Sequence, residues 1–242
     1  MIIGLASKCF VNNRIDLNLK TIYDSMKEAF DNKADAILFG EAFLQGFDAL
    51  KWDFACDRKI AISQENGIIE AISQKAKELG IAVGFGYLEL SDDKIYSSYL
   101  FIDKTGIILN NYRRISPGWK EPVASEKHYR EGEIFQTFSF MDKTFLLGLC
   151  GDFWYDENVK RANQIYKDVV LWPVYLNYTS ETWNNLEKEE YATRAKLLGK
   201  RVLLFNSISL NPVARGGCYD YQNGNIIKDL PMENDGILYV EI

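Results

Sequence analysis

Two residues stand where a chain would place a nucleophile and its base. Cys150 closes the apolar run TFLLGLC and is followed at once by Gly151 and Asp152, so the backbone leaves its strand directly after the thiol. Sites in α/β proteins collect at such strand ends. Glu41 closes a second apolar run, ADAILFG. A carboxylate with no partner is costly there, and a general base gains basicity from desolvation. Taken singly, a thiol in this setting is more often an inert core residue, and a strand-end glutamate more often a cap or an ion-pair partner. Taken together they supply the thiol and the base that nucleophilic catalysis needs. Histidine is the base in many cysteine hydrolases, and the one histidine here, His128, lies in the polar segment EKHYR. A Cys-His pair is therefore the rival arrangement, and a carboxylate base is the more economical one.

The elements that must position these residues are legible as apolar runs separated by helical stretches. MIIGLAS, ADAILFGE, GIAVGFGYLEL, SSYLFID, TFLLGLCGD, DVVLWPV and RVLLFNSIS read as strands. Between the first two, residues 18–32 carry Leu19, Ile22, Met26, Ala29 and Phe30 at helical spacing, which makes a β-α-β unit. A second helix is predicted over residues 67–79, with Gly80 as its stop. The tetrapeptides DKTG and QNGN each join two β-rich runs as hairpins, so the sheets are mixed. No linker or low-complexity tract interrupts the sequence, and residues 1–242 read as a single domain. The least regular part, Ser116 to Glu133, is a polar loop of a length that often lines a site.

Composition narrows the partners. With 47% hydrophobic and 26% charged residues the chain has an ordinary globular composition and no apolar run long enough to span a bilayer. A net charge of -6 argues against nucleic-acid and anionic-membrane surfaces, which need a basic patch, and leaves small molecules as the expected partners. The opening MIIGLASKCF lacks the basic region and cleavage signal of a secretory leader, and Cys9, Cys56, Cys150 and Cys218 are too dispersed for a disulfide scaffold. The reading is a cytoplasmic protein with reduced thiols. One histidine and no C-x-x-C pair leave no structural zinc site, and no cofactor is expected.

The segments FGEAFLQGF, NYRRISPGW and LGLCGDFWYDE, in that order, resemble the three signature segments of the nitrilase superfamily of carbon-nitrogen hydrolases. In that family they carry a glutamate base, a lysine and a cysteine nucleophile. YATRA before RVLLFNSIS, the GGCYDYQNGNII hairpin and the final strand GILYVEI extend the resemblance along the chain. It implies an α/β fold, a four-layer α-β-β-α sandwich with two mixed central sheets, and assembly through a helical face into homodimers or larger oligomers. It also implies hydrolysis of a non-peptide carbon-nitrogen bond in a small amide or carbamoyl compound through a thioester on Cys150, with Glu41 as general base. Backbone N–H groups, that of Gly151 among them, would steady the oxyanion, a contribution of roughly 3 kcal/mol per donor. Glu126 resembles the second glutamate that many members place beside the cysteine. Among the aromatic residues near the signature segments, Trp119, Trp154, Trp172, Tyr175 and Tyr178, core packing is the commoner role, and Trp154 and Tyr175 are the candidates for a substrate wall.

The sequence departs from the family pattern in two places. Gly40 replaces the usual proline before the glutamate, which should loosen that turn. Arg114 occupies the lysine position, and an arginine can steady charge but cannot shuttle a proton. Its charge beside Cys150 would favour the thiolate near neutral pH, opposed by Glu41. Glu126 is the expected partner for the guanidinium fork, and Lys120 is the other cation that could fill the lysine's place. A homologue that keeps the fold without turnover is the competing reading.

Overall fold

A computed structural model describes residues 1–242. In chain order the first half contains β1 (Ile2–Ser7), α1 (Ile15–Asp31), β2 (Ala36–Leu38), α2 (Gly67–Leu79), β3 (Ala82–Ser91), β4 (Lys94–Ile102) and β5 (Ile108–Arg113). The second half contains β6 (Thr137–Phe140), β7 (Lys143–Leu147), α3 (Asp156–Asn163), β8 (Val169–Val174), α4 (Lys188–Leu198) and β9 (Arg201–Asn206). It closes with the small hairpin β10 (Ile208–Leu210) and β11 (Val213–Arg215), then β12 (Cys218–Gln222), β13 (Asn225–Leu230) and β14 (Gly236–Glu241). The strands form two six-stranded sheets, ordered β14-β1-β2-β3-β4-β5 and β13-β12-β9-β8-β7-β6.

Both sheets are mixed. β1, β2 and β3 run parallel and the hairpin partners β4 and β5 add antiparallel; β7, β8 and β9 run parallel with antiparallel strands on either side. Parallel strands need crossovers, and α1 and α2 supply them on one outer face while α3 and α4 cover the other. α1 buries Ile22, Met26 and Ala29, and α2 buries Ile69, Ile72 and Ala76, against the first sheet's Ile37, Val83 and Leu100. On the opposite side, Leu5, Leu38, Tyr99 and Phe101 of the first sheet join Leu147, Leu171, Leu203 and Phe205 of the second in a core between the sheets. The result is a four-layer α-β-β-α sandwich.

The hairpins form where the sequence reading puts them. Asp103 Oδ1 accepts from the N–H groups of Thr105 and Ile107 at 2.8 and 3.0 Å, which shapes the DKTG turn. Asn223 and Gly224, with φ of 52° and 81°, turn β12 into β13. α2 occupies the predicted residues, and α1 starts three residues earlier than predicted, at Ile15. Two hydrogen bonds join the ends of the sheets to each other: the Glu41 N–H donates to the carbonyl of Val174 at 3.3 Å, and the Gly217 N–H donates to Ser7 Oγ at 3.0 Å. The first of these sets the end of β2 against the end of β8, where the chemistry gathers.

Candidate active site

Glu41 follows β2, Arg114 follows β5 and Cys150 follows β7. β2 and β5 run in the same sense in one sheet and β7 runs parallel to β8 in the other, and the Glu41–Val174 hydrogen bond brings the C-terminal ends of the two sheets together. Glu41 is fully buried. Its Oε1 accepts from Ser97 Oγ and from Arg114 Nη1, each at 2.9 Å, while Oε2 is buried with no hydrogen-bond partner in the protein. A carboxylate held by one oxygen and unpaired at the other is costly as architecture and suited to taking a proton.

Arg114 has 4% of its side chain exposed, and each of its three guanidinium nitrogens has one partner. Besides Glu41, Nε donates to Ser116 Oγ at 2.9 Å and Nη2 to the Pro117 carbonyl at 3.3 Å. Burial opposes its charge, but Glu41, Cys150 and Asp152 outweigh that and hold it firmly protonated. A Cβ added to Gly151 would collide with Arg114 Nη2, so the residue after Cys150 and the guanidinium pack directly on each other.

Cys150 has φ +40°, a left-handed conformation that is strained for a residue with a side chain. Its carbonyl accepts from the indole N–H of Trp172 at 2.9 Å, and its Sγ lies 3.9 Å from the carbonyl of Tyr175. Burial, then the charge of Glu41, push the thiol up to about 12, with Arg114 and the Tyr175 carbonyl opposing. Burial and Glu41 thus both work against the thiolate that the sequence reading expects near neutral pH. Arg114 is in direct contact with Glu41, at 2.9 Å.

A model of the carbon-nitrogen hydrolases matches residues 2–242. The chain belongs to the carbon-nitrogen hydrolase family. It is 23% identical to deaminated glutathione amidase of Dictyostelium discoideum over 263 aligned positions, covering 99% of this chain and 87% of that protein. A structure of a mutant amidase from Nesterenkonia sp. AN1, carrying acrylamide added to its active-site cysteine, superposes with a TM-score of 0.82 at 19% identity, covering 100% of this chain and 93% of that one. The glutamine-dependent NAD+ synthetase of Acinetobacter baumannii superposes with a TM-score of 0.81 at 19% identity, covering 98% of this chain and 44% of that one. At these identities the two superpositions bear on the fold.

The remaining residues singled out from the sequence of this carbon-nitrogen hydrolase divide between the cleft and its surroundings. Tyr175 borders the thiol through its carbonyl; its ring stacks on Phe47 at 4.2 Å and its hydroxyl donates to Asp48 at 3.1 Å. Trp154 packs edge-on against Tyr191 at 4.8 Å, with Arg194 over its ring. Glu126 does not hold Arg114. Its side chain is 80% exposed and pairs with Lys120 at 3.0 Å, because Glu41, Ser116 and Pro117 already satisfy the guanidinium. Lys120 is equally committed, to Glu126, to Glu131 at 2.8 Å and to the Tyr129 carbonyl at 3.2 Å, so it pins the 116–133 loop and leaves the lysine's place to Arg114. His128 stacks on Phe54 at 3.9 Å and faces the carbonyl of Asp93, which removes it as partner of the thiol.

Gly40 is not a loosened proline position either. Its N–H donates to Ser207 Oγ at 3.2 Å, and that hydroxyl occupies the space a Cβ would need. Three residues of the site escaped the sequence reading: Ser97, Ser116 and Asp152. Only Asp152 carried a signal, as an acid two residues beyond a buried thiol.

Proposed function

We propose that the protein hydrolyses the carbon-nitrogen bond of an amide or carbamoyl group on a small molecule, with Cys150 as nucleophile and Glu41 as general base, in a single domain spanning residues 1–242. The observation that carries this reading is the pair of environments on Glu41: Oε1 fixed by Arg114 and Ser97, Oε2 buried and unpaired, with the Cys150 thiol within the carboxylate's field. Oε2 takes the thiol proton as Sγ attacks the carbonyl carbon, and the oxyanion that forms is steadied by Arg114 and the Gly151 N–H. Collapse expels the amine or ammonia, which leaves with the proton from Glu41. Glu41 then takes a proton from water as its oxygen attacks the thioester, and returns that proton to the departing sulfur. The products are a carboxylic acid and an amine, or for a carbamoyl group a carbamic acid and an amine. In this scheme Arg114 is a fixed cation and Glu41 makes every proton transfer, so the arginine's inability to give up a proton costs nothing.

Turnover of a panel of small aliphatic and aromatic amides, with mass spectrometry of the protein during turnover, tests this. Wild type should release amine and carry an acyl adduct on Cys150, and Glu41→Gln and Cys150→Ala should each abolish release. The direct Arg114–Glu41 contact favours one other reading, a homologue whose base is locked by its ion pair and which binds ligands without cleaving them. Saturable amide binding with no adduct and no amine release would establish that reading instead.

A further inference from the structure

Asp152 is fully buried, two residues after the proposed nucleophile, and its carboxylate accepts four hydrogen bonds from two stretches of chain, residues 112–116 and Leu149. Oδ2 accepts from Tyr112 Oη at 2.6 Å and from the N–H of Leu149 at 2.8 Å. Oδ1 accepts from the N–H of Ser116 at 2.7 Å and from that of Ile115 at 3.1 Å. Leu149 precedes Cys150; Ile115 and Ser116 follow Arg114, and Ser116 Oγ accepts from Arg114 Nε. One side chain therefore ties the backbone before the thiol to the backbone after the cation, across the gap between the two sheets. A carboxylate is the side chain suited to this, because it accepts on both oxygens and donates nothing.

The charge inventory gives Asp152 a second effect. Arg114 lies between two buried carboxylates, in contact with Glu41 and within the field of Asp152. Two negative groups on one guanidinium leave little positive charge for the sulfur.

Resting on the hydrolase reading above, we infer that Asp152 is a positioning residue of the reaction: its carboxylate locks the strained Cys150 turn against Arg114, keeping Gly151 in contact with Nη2, and restrains the charge that Arg114 presents to the thiol. Asn at this position keeps the volume but turns an N–H group on a backbone N–H donor and removes the charge. The turn then shifts relative to Arg114, and the guanidinium acts more strongly on the sulfur.

The test compares wild type, Asp152→Asn and Tyr112→Phe for amide turnover and for iodoacetamide labelling of each cysteine at one fixed alkaline pH. Cys218, fully buried between the sheets with its thiol on the carbonyl of Leu5, reports general loosening. Asp152→Asn should lower kcat by about 100-fold, the scale of one lost oxyanion donor, with KM within about threefold of wild type. Its Cys150 should label about tenfold faster than in wild type, equivalent to a thiol more acidic by about one pKa unit, while Cys218 stays unlabelled. Tyr112→Phe, which removes one of the four bonds and no charge, should lower kcat several-fold without changing Cys150 labelling. Wild-type kcat and Cys150 labelling in Asp152→Asn would overturn the inference, as would faster labelling of Cys218 in parallel with Cys150. Should Asp152→Asn fail to fold, an unchanged kcat in Tyr112→Phe overturns it. Should wild type turn over no amide while Asp152→Asn still labels selectively at Cys150, the hydrolase reading falls and the charge-restraining role of Asp152 stands.

Discussion

At the scale of single residues the site is a contest for one guanidinium. Lysine at position 114 would present a point charge; arginine presents a planar fork, and here three of its five N–H donors are engaged, one on each nitrogen. In the proposed mechanism Arg114→Ala should lower kcat by about two orders of magnitude or more, since it would remove the cation proposed to steady the oxyanion and leaves Glu41 held by Ser97 alone. Lys120→Ala should leave kcat nearly unchanged, because its ammonium serves Glu126 and Glu131. Steady-state kinetics of the two variants decide between these cations, and loss of turnover in Lys120→Ala would move the role there. The thiols give a second check. Cys56 is exposed, whereas the Cys150 thiol is pushed up to about 12 by burial and Glu41. In resting enzyme at neutral pH, iodoacetamide should modify Cys56 well before Cys150, as peptide mapping would show. Preferential labelling of Cys150 would mean that the thiolate is already formed and that Glu41 holds the proton.

At the scale of elements, what the sequence disclosed depended on whether the information was local. The helix over residues 67–79 and the DKTG and QNGN hairpins were legible because periodicity, a C-terminal glycine and turn residues lie within a few positions of one another. Glu41 and Cys150 were legible as polar endings of apolar runs. The partners of Arg114 were not, because Glu41, Ser116 and Pro117 are selected by the packing of β2, β5 and the following loop, and nothing in NYRRISPGW distinguishes them from Glu126. The Gly40 turn shows the same limit. Read along the chain, glycine in place of proline means a looser turn; in three dimensions Ser207, 167 residues away, fills the gap and takes the N–H. Restoring proline should therefore destabilise. Gly40→Pro loses that hydrogen bond and drives ring atoms into Ser207, at a cost of at least about 1–2 kcal/mol and a fall of several degrees in melting temperature. A melting temperature at or above wild type would show that the turn has room for the family residue.

At the scale of the whole molecule, the two sheets place buried ionisable groups at both ends of the pH range, and the sign of each sets where the fold is stable. Tyr87, Tyr99 and Tyr112 are raised above the ordinary tyrosine range, by burial first. A raised folded value means stability that is complete below the unfolded pKa of about 10 and is lost as pH climbs through the folded value, so the alkaline limit lies above about pH 10. Asp152 and Asp220 are also raised by burial, despite Arg114 and Arg201, and favour the fold slightly more as pH falls below neutrality. Glu89 runs the other way. Burial would raise it, but the bidentate Arg113 at 2.8 and 2.7 Å, with Ser98 and Asn111, outweighs burial and holds it below the ordinary range. A depressed folded value means stability present above the unfolded pKa of about 4.3 and lost as pH falls through the folded value. Glu89→Gln removes that contribution at neutral pH. The cost is about 2 kcal/mol, below the usual figure for breaking a buried pair because Arg113 keeps 32% of its side chain exposed. Melting curves of wild type and Glu89→Gln from pH 7 downward should therefore converge as pH falls through the depressed folded value of Glu89, below which wild type carries the same neutral group. A gap that stays constant to the acid limit would show that Glu89 acts through its shape and hydrogen bonds, with its charge contributing nothing to the hold of β3 on β5.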